Sequence, residues 1–302
     1  MQNDIYERIT NLIVERLKSG VIPWKQPWSS DTHPRNMISK RPYHGINFWL
    51  LLSTGNESPF YLSFQQVKVL GGNIKKGEKS IPVVFWKLLN TEEKDGTIKK
   101  TPFLKYYNVF NLSQTEGIDP IRLPDAEIPN PNFDPISKAE ELVEQWKDCP
   151  QIKFNQSQAY YSPSQDVIGM PNPQSFFNAP DYYSVLFHEA THSTGNIKRL
   201  GRHAKMRDLN FGSHSYSQEE LVAEMGAAYL SGMCGIDNQT IPNSTAYIQS
   251  WIRTFKNDPK VLVIAAAQAQ KAVGYILYDH SSGDPIPEEK ELILEPLDGF
   301  AG

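Results

Sequence analysis

Asp181-Tyr-Tyr-Ser-Val-Leu-Phe-His188-Glu189-Ala-Thr-His192-Ser-Thr-Gly195 is the stretch on which the reading of the fold turns. On an α-helix, side chains four residues apart share one face about a turn apart, so His188 and His192 can close on one metal ion with Glu189 beside them. That is the layout of a zinc-dependent hydrolase, with Glu189 as general base. Asp181 is placed to cap the helix start after Pro180, and Gly195 falls where a left-handed C-terminal cap would lie. A pattern with three fixed positions also arises on packed helices without any metal, so the reading needs a third ligand. Catalytic zinc takes three protein ligands and keeps a fourth position for water.

Downstream, Ser217-Gln-Glu-Glu220-Leu-Val-Ala-Glu224-Met-Gly-Ala-Ala-Tyr-Leu reads as a second helix. Glu220 and Glu224 share a face with Ala223, Ala227 and Ala228, small residues that let two helices approach closely. Either acid can reach the metal; the plainer alternative is a solvated face with Ser217 and Glu220 forming a capping box. The run from Glu219 to Glu224 resembles the thermolysin-type arrangement. That resemblance implies Glu220 as the third ligand and Glu224 as the acid that bonds the far nitrogen of a ligand histidine. From the residues alone the two roles can be exchanged.

The 302-residue chain as a whole is 39% hydrophobic and 21% charged, an ordinary soluble composition long enough for two domains. No apolar run approaches a membrane span, and Met1 to Arg8 carry acids without a hydrophobic block, so no secretion signal is read. Cys149 and Cys234 belong to no metal spacing and fit a reducing cytoplasm. The net charge of −4 is unevenly divided. Residues 1–124 hold 17 Lys and Arg against 11 Asp and Glu, and the remainder holds 13 against 23. A basic front half is expected to face a polyanion.

An amphipathic helix is read over residues 4–18 from Ile5, Ile9, Leu12, Ile13 and Leu17. From Pro23 to Asn47, Trp24, Trp28, Arg41, Tyr43 and Asn47 stand among other cations and amides, a mixture that suits stacking on unpaired bases with cations along the phosphates. A loop pinned by its own tryptophans has the same composition. A short helix from Tyr61, a basic turn with Lys75, Lys76 and Lys79, and two strands carrying Trp86 and Tyr107 complete a small sheet domain. The proline-rich residues 117–135 carry the domain boundary. Beyond it lie a helix from Ser137, two short strands of which Val167 to Met170 is a candidate edge for an extended peptide, and a basic segment from Arg199 with His203 that could cover the cleft. His203, His214 and Tyr216 are candidate hydrogen-bond donors. Two more helices follow, over residues 244–256 and 258–278, and then an acidic tail.

Trp24-Lys-Gln-Pro-Trp28, Tyr43-His-Gly-Ile-Asn47, Leu70-Gly-Gly with Lys76-Gly-Glu, Val109-Phe-Asn with Gln114-Thr, Tyr182-Tyr to Gly195, and Glu219 to Leu230 recur together. In that order they resemble the ArdC-type antirestriction proteins of conjugative plasmids, which are similar in turn to the front part of TraC-type plasmid primases. The resemblance covers about residues 5 to 278, and departs from the family in having Ala190 where Leu usually follows the catalytic Glu. It implies an α+β chain organised as a single-stranded DNA-binding domain (1–124), a linker (125–135), a mainly helical zincin-like metallopeptidase domain with a short sheet (136–280) and a tail (281–302). The expected function is protection of incoming mobile-element DNA from restriction. The expected ligands are single-stranded DNA and one Zn2+ or other divalent ion per chain, with a protein or peptide substrate. Zinc held by His188, His192 and Glu220, with Glu224 behind them and Glu189 as base, makes a peptidase; the alternative is a non-enzymatic single-strand coat with a structural metal.

Overall fold

The computed structural model describes residues 2–25, 33–56, 58–92, 98–118, 135–176, 178–205, 214–236 and 245–277. In chain order these form α1 (Gln2–Lys18), β1 (Arg35–Asn36), α2 (Ile46–Leu52), β2 (Phe60–Ser63), α3 (Phe64–Val69), β3 (Asn73–Ile74), β4 (Ile81–Glu92), β5 (Ile98–Asn111) and β6 (Thr115–Glu116). Next come α4 (Pro135–Gln145), β7 (Gln151–Lys153), β8 (Tyr160–Ser162), β9 (Val167–Gly169), α5 (Ala179–Ser193), α6 (His214–Met233), α7 (Thr245–Asn257) and α8 (Lys260–Leu277). The fold is α+β: strands dominate the front, and helices with one short sheet make up the back. Of the expected linker, residues 125–134 lie outside the described residues, as does the acidic tail, and Pro135 already opens α4.

The front sheet has the order β1-β2-β5-β4, built on a long antiparallel hairpin from β4 and β5. The periodicity read over 4–18 is helix α1, which ends at Gly20 in the left-handed conformation with φ 82°. Its Arg8 donates to the Tyr106 hydroxyl of β5 at 3.1 Å, and its apolar stripe of Ile9, Ile13 and Leu17 faces the interior. It joins Trp251 and Phe255 of α7 and Leu262, Ala265 and Ala269 of α8 in one buried cluster, and the Thr10 hydroxyl donates to the Pro259 carbonyl at 2.7 Å. Trp24, Phe48 and Trp49 enter the same cluster, with Trp49 and Phe48 against the Tyr229 ring of α6 at 4.6 and 4.7 Å. One core therefore runs through both segments expected to be separate domains. Two small clusters, around Phe60 and Leu62 and around Tyr61 and Val109, are the front's own.

Helix α8 differs from the sequence expectation in one respect. By length and composition it could cross a membrane, with mean hydropathy 1.2. Leu262, Ala265, Ala266, Ala269 and Ala272 are nevertheless fully buried against protein, which accounts for an apolar helix without a bilayer.

Where the front meets the common core, His33 lies 4.8 Å from the Phe48 ring and donates its Nε2 hydrogen to the Tyr43 carbonyl at 2.8 Å. Burial is the main cause that lowers its pKa to about 4, with the neighbouring His44 and Arg35 adding to the shift against the Tyr43 bond. The imidazole is thus neutral in the fold while the unfolded chain takes up a proton near the ordinary value of 6.5. Stability from this group is complete above that value and is lost as pH falls towards 4, by about 3 kcal/mol. Thermal unfolding followed at about pH 7 and about pH 5 should show roughly 2 kcal/mol of this loss, and His33→Gln should shrink the difference between the two midpoints.

Candidate metal centre

Helix α5 is capped three residues before the expected position. The Asn178 side chain accepts the Asp181 amide at 2.8 Å, Pro180 occupies the first turn where a missing N–H costs nothing, and Asp181 stands inside that turn. At the other end Thr194 closes the helix in the right-handed region, and Gly195 is not in the left-handed conformation. Gly195 is there for space: a Cβ on it would stand 2.3 Å from Nε2 of His203. Helix α6 begins at His214, so Ser217 is interior and forms no capping box with Glu220. Small residues on α6 do let the helices approach, at a position the face count left out. A Cβ on Gly226 would come within 2.5 Å of Thr191, whose hydroxyl is already bonded to the Phe187 carbonyl at 2.8 Å.

That approach brings His188, His192 and Glu220 together. The two Nε2 atoms face each other at 3.1 Å, and the Glu220 carboxylate lies 3.6 Å from the first and 3.5 Å from the second. All three candidate ligand atoms fall within 4.8 Å of one another. Two imidazole nitrogens and a carboxylate turned inwards on one point form a donor set that fits a divalent cation. Electrostatics point the same way. Burial works against charge on His192, yet Glu219 and Glu220 hold its pKa up at about 10. Burial likewise opposes ionisation of Glu220, and the two histidines hold its carboxyl well below the usual range all the same. The pocket asks for positive charge. The Glu189 side chain, next to His188 in sequence, is buried and among the described residues makes no hydrogen bond or ion pair.

The far side of His192 belongs to Glu219, not to Glu224 as the thermolysin-type resemblance implied. Its Oε1 lies 3.4 Å from His192 Nδ1 and 3.3 Å from His203 Nε2. Glu224 enters no metal-competent group among the described residues. Arg202 reaches Glu219 with Nε at 3.1 Å and Nη2 at 2.7 Å, and also donates to the Thr194 hydroxyl and the Thr191 carbonyl. The basic segment expected to cover the cleft thus delivers Arg202 and His203 into the interior. Glu219 adjoins the chosen ligand in sequence, which was the one available signal; for Arg202 none existed beyond the charge run. His214 and Tyr216 have side chains outside the described residues.

Several expected DNA contacts are corrected by burial. Trp24 is 1% exposed and meets Trp251 edge-on at 5.2 Å, and Tyr43 is 1% exposed. Asn47 is spent on structure: its amide donates to the Val84 carbonyl at 2.6 Å and its oxygen accepts the Val84 amide at 2.7 Å, pinning α2 to β4. None of the three can stack on a base or reach a phosphate. Trp28 and the side chain of Trp86 lie outside the described residues. Arg41, Lys75, Lys76 and Lys79 are exposed. An aromatic not singled out in the sequence, Phe64 at the start of α3, is 52% exposed with the Lys68 ammonium 5.6 Å from its ring centre. The candidate peptide edge also moves. Strand β9 holds Val167 to Gly169 in the middle of the order β7-β9-β8 with these residues buried, so the sheet's edges are β7 and β8.

Residues 3–110 match the family model described as the N-terminal domain of anti-restriction factor ArdC, and residues 137–268 match that of zincin-like metallopeptidases. An uncharacterized protein, y4eC of Sinorhizobium fredii, is 30% identical over 90% of this chain and 91% of its own length. A DNA primase TraC of Escherichia coli is 29% identical over 92% of this chain, which corresponds to 27% of the primase. The crystal structure of the antirestriction protein ArdC from plasmid R388 superposes with a TM-score of 0.71 in its metal-free form, at 34% identity over 90% of this chain and 96% of that one. Its Mn(II)-bound form gives a TM-score of 0.70 at 33% identity, with the same coverage.

Because Gly226 sets the distance between the two ligand-bearing helices, Gly226→Ala should force them apart. The expected cost is about 1–3 kcal/mol in denaturant unfolding, together with weaker binding of Zn2+ in a competition against a chelating dye. Wild-type affinity in a folded Gly226→Ala protein would show that the ligands do not depend on this approach.

Proposed function

Since the chain belongs to the ArdC family of antirestriction proteins, we propose that it binds single-stranded DNA through its front half and carries a zinc metallopeptidase site in its back half, protecting incoming mobile-element DNA from restriction. The observation that carries the enzymatic reading is the convergence of His188, His192 and Glu220, with an unengaged, buried Glu189 next to His188 in sequence. Two histidines and one carboxylate are the catalytic rather than the closed structural kind of zinc set. The chemistry such an ion supplies is Lewis acidity towards a peptide carbonyl and towards water. His188, His192 and Glu220 would hold it. The carboxylate of Glu189 would accept the proton of the attacking water and return it to the leaving amine nitrogen. The substrate is a protein or peptide, and DNA held by the front half brings DNA-bound proteins within reach.

For the DNA face, burial of Trp24 and Tyr43 shifts the reading to α3 and the turn that follows it. Phe64 offers a ring to a base. Lys68 stands over that ring, and exposed Lys75, Lys76 and Lys79 follow in the next turn. The Asn36 amide bonded to Gln66 at 3.0 Å ties the segment that carries Lys40 and Arg41 to the same helix. Stacking tolerates any base, so little sequence preference is expected.

Two measurements test this reading. With zinc restored, cleavage of partly unfolded protein substrates by the wild type should fall roughly a hundredfold or more in Glu189→Gln while metal content stays the same. Equal cleavage by both would leave the site without its base, and DNA protection that survives in Glu189→Gln would favour a non-enzymatic coat with a structural metal. In fluorescence anisotropy with a labelled oligothymidylate, Phe64→Ala should weaken binding by about 1–3 kcal/mol. Joint replacement of Lys75, Lys76 and Lys79 by Ala should flatten the salt dependence. Trp24→Ala should instead lower stability, by about 3–5 kcal/mol. An unchanged affinity in the Phe64 and lysine variants would remove this face from consideration.

A further inference from the structure

Next to the His188, His192 and Glu220 group lies a second set of donors with metal-ligand spacing: Nδ1 of His192, Nε2 of His203 and an oxygen of Glu219, all within 4.8 Å. His192 belongs to both, one ring nitrogen to each. By donor chemistry alone the pair would make a two-metal site bridged by an imidazole. The guanidinium of Arg202 argues against it. Both Glu219 oxygens receive its N–H groups, at 3.1 and 2.7 Å, and the Arg202 side chain is only 7% exposed. Its other bonds, 2.8 Å to the Thr194 hydroxyl and 2.9 Å to the Thr191 carbonyl, fix it to the end of α5. An arginine cannot shed its proton, so a divalent ion placed there would stand beside a permanent, poorly screened positive charge.

We propose that Arg202 is the built-in cation of the second donor set: it takes the place of a second metal ion, keeps the centre mononuclear, and through Glu219 holds the His192 ring with Nε2 turned to the first. The assignment rests on the reading of His188, His192 and Glu220 as a metal site. It makes Arg202 a positioning residue that touches neither metal nor substrate. The backbone is shaped to deliver it. Gly201 adopts φ 66° just before it, and the His203 amide just after it donates to the Gly195 carbonyl at 2.9 Å. Gly195 leaves room for the His203 ring that flanks Glu219.

The test counts metal ions in the full chain by equilibrium dialysis against Zn2+ and elemental mass spectrometry, with affinity from chelator competition. Wild type should hold one ion. Arg202→Ala should hold two, and Arg202→Ala with His203→Ala should return to one. Arg202→Lys, which keeps the charge and not the fork, should hold one ion with affinity lowered roughly tenfold to a hundredfold. Arg202→Met with Glu219→Gln, which removes the buried pair together, guards against misfolding of the single variant and should hold one ion with a similar loss. A folded Arg202→Ala that binds one ion at wild-type affinity overturns the assignment, as does a second ion in Arg202→Lys or unchanged affinity in the Met and Gln pair. His188→Ala separates the claims: it should abolish the first ion, and a wild type that binds none would overturn the metal reading and this assignment with it, whereas one ion in both wild type and Arg202→Ala overturns the assignment alone.

Discussion

Two neighbouring carboxylates on one buried helical turn, Glu219 and Glu220, close on opposite nitrogens of a single histidine ring. Burying two negative charges side by side is costly unless each finds a positive partner. Glu219 finds one in Arg202. Among the described residues Glu220 finds imidazoles alone, and these become suitable partners either by taking a proton or by sharing a metal ion. Much of the surrounding structure serves this balance. Gly226 lets α6 approach α5 closely enough for the acids to arrive, and Gly195 lets His203 come up beside Glu219.

The second organising constraint is the shared interior. Helix α1 lies at the start of the chain and packs on α7 and α8 at its described end, while Tyr229 on the metal-bearing α6 donates from its hydroxyl to the Gly45 carbonyl at 3.3 Å. The helix that holds Glu220 at one end is therefore in contact with the front half at the other. The front's own two clusters are small and lie on opposite faces of the sheet, since Phe60 and Leu62 of one alternate along β2 with Tyr61 of the other.

Much of the metal centre was legible in the sequence because a helix converts spacing into geometry: once α5 and α6 are helical, His188 and His192 must share a face and Glu220 has few places to go. What lay beyond was set by tertiary contacts. Whether Glu219 or Glu224 meets Nδ1 of His192 depends on how the imidazole is turned and on which side of α6 faces inwards. Gly195 could be read as a cap from its position, but the ring of His203 that requires a glycine arrives from a later loop. Trp24, Tyr43 and Asn47 were misplaced for a related reason. Aromatics and amides among cations compose a DNA-binding loop and a buried anchor alike, and the Trp251 that covers Trp24 stands more than 200 residues further on. Phe64, in contrast, is exposed although its strand-to-helix context reads as core.

An interior built from both ends of a chain also constrains how that chain can be passed on. The region that the much longer TraC primase has in common with it spans 92% of this chain, front and back together. Splitting it between the halves would strip Trp24, Phe48 and Trp49 of the partners that cover them. The block that recombination can shuffle intact is the pair, and a junction to a new neighbour is tolerated only outside it.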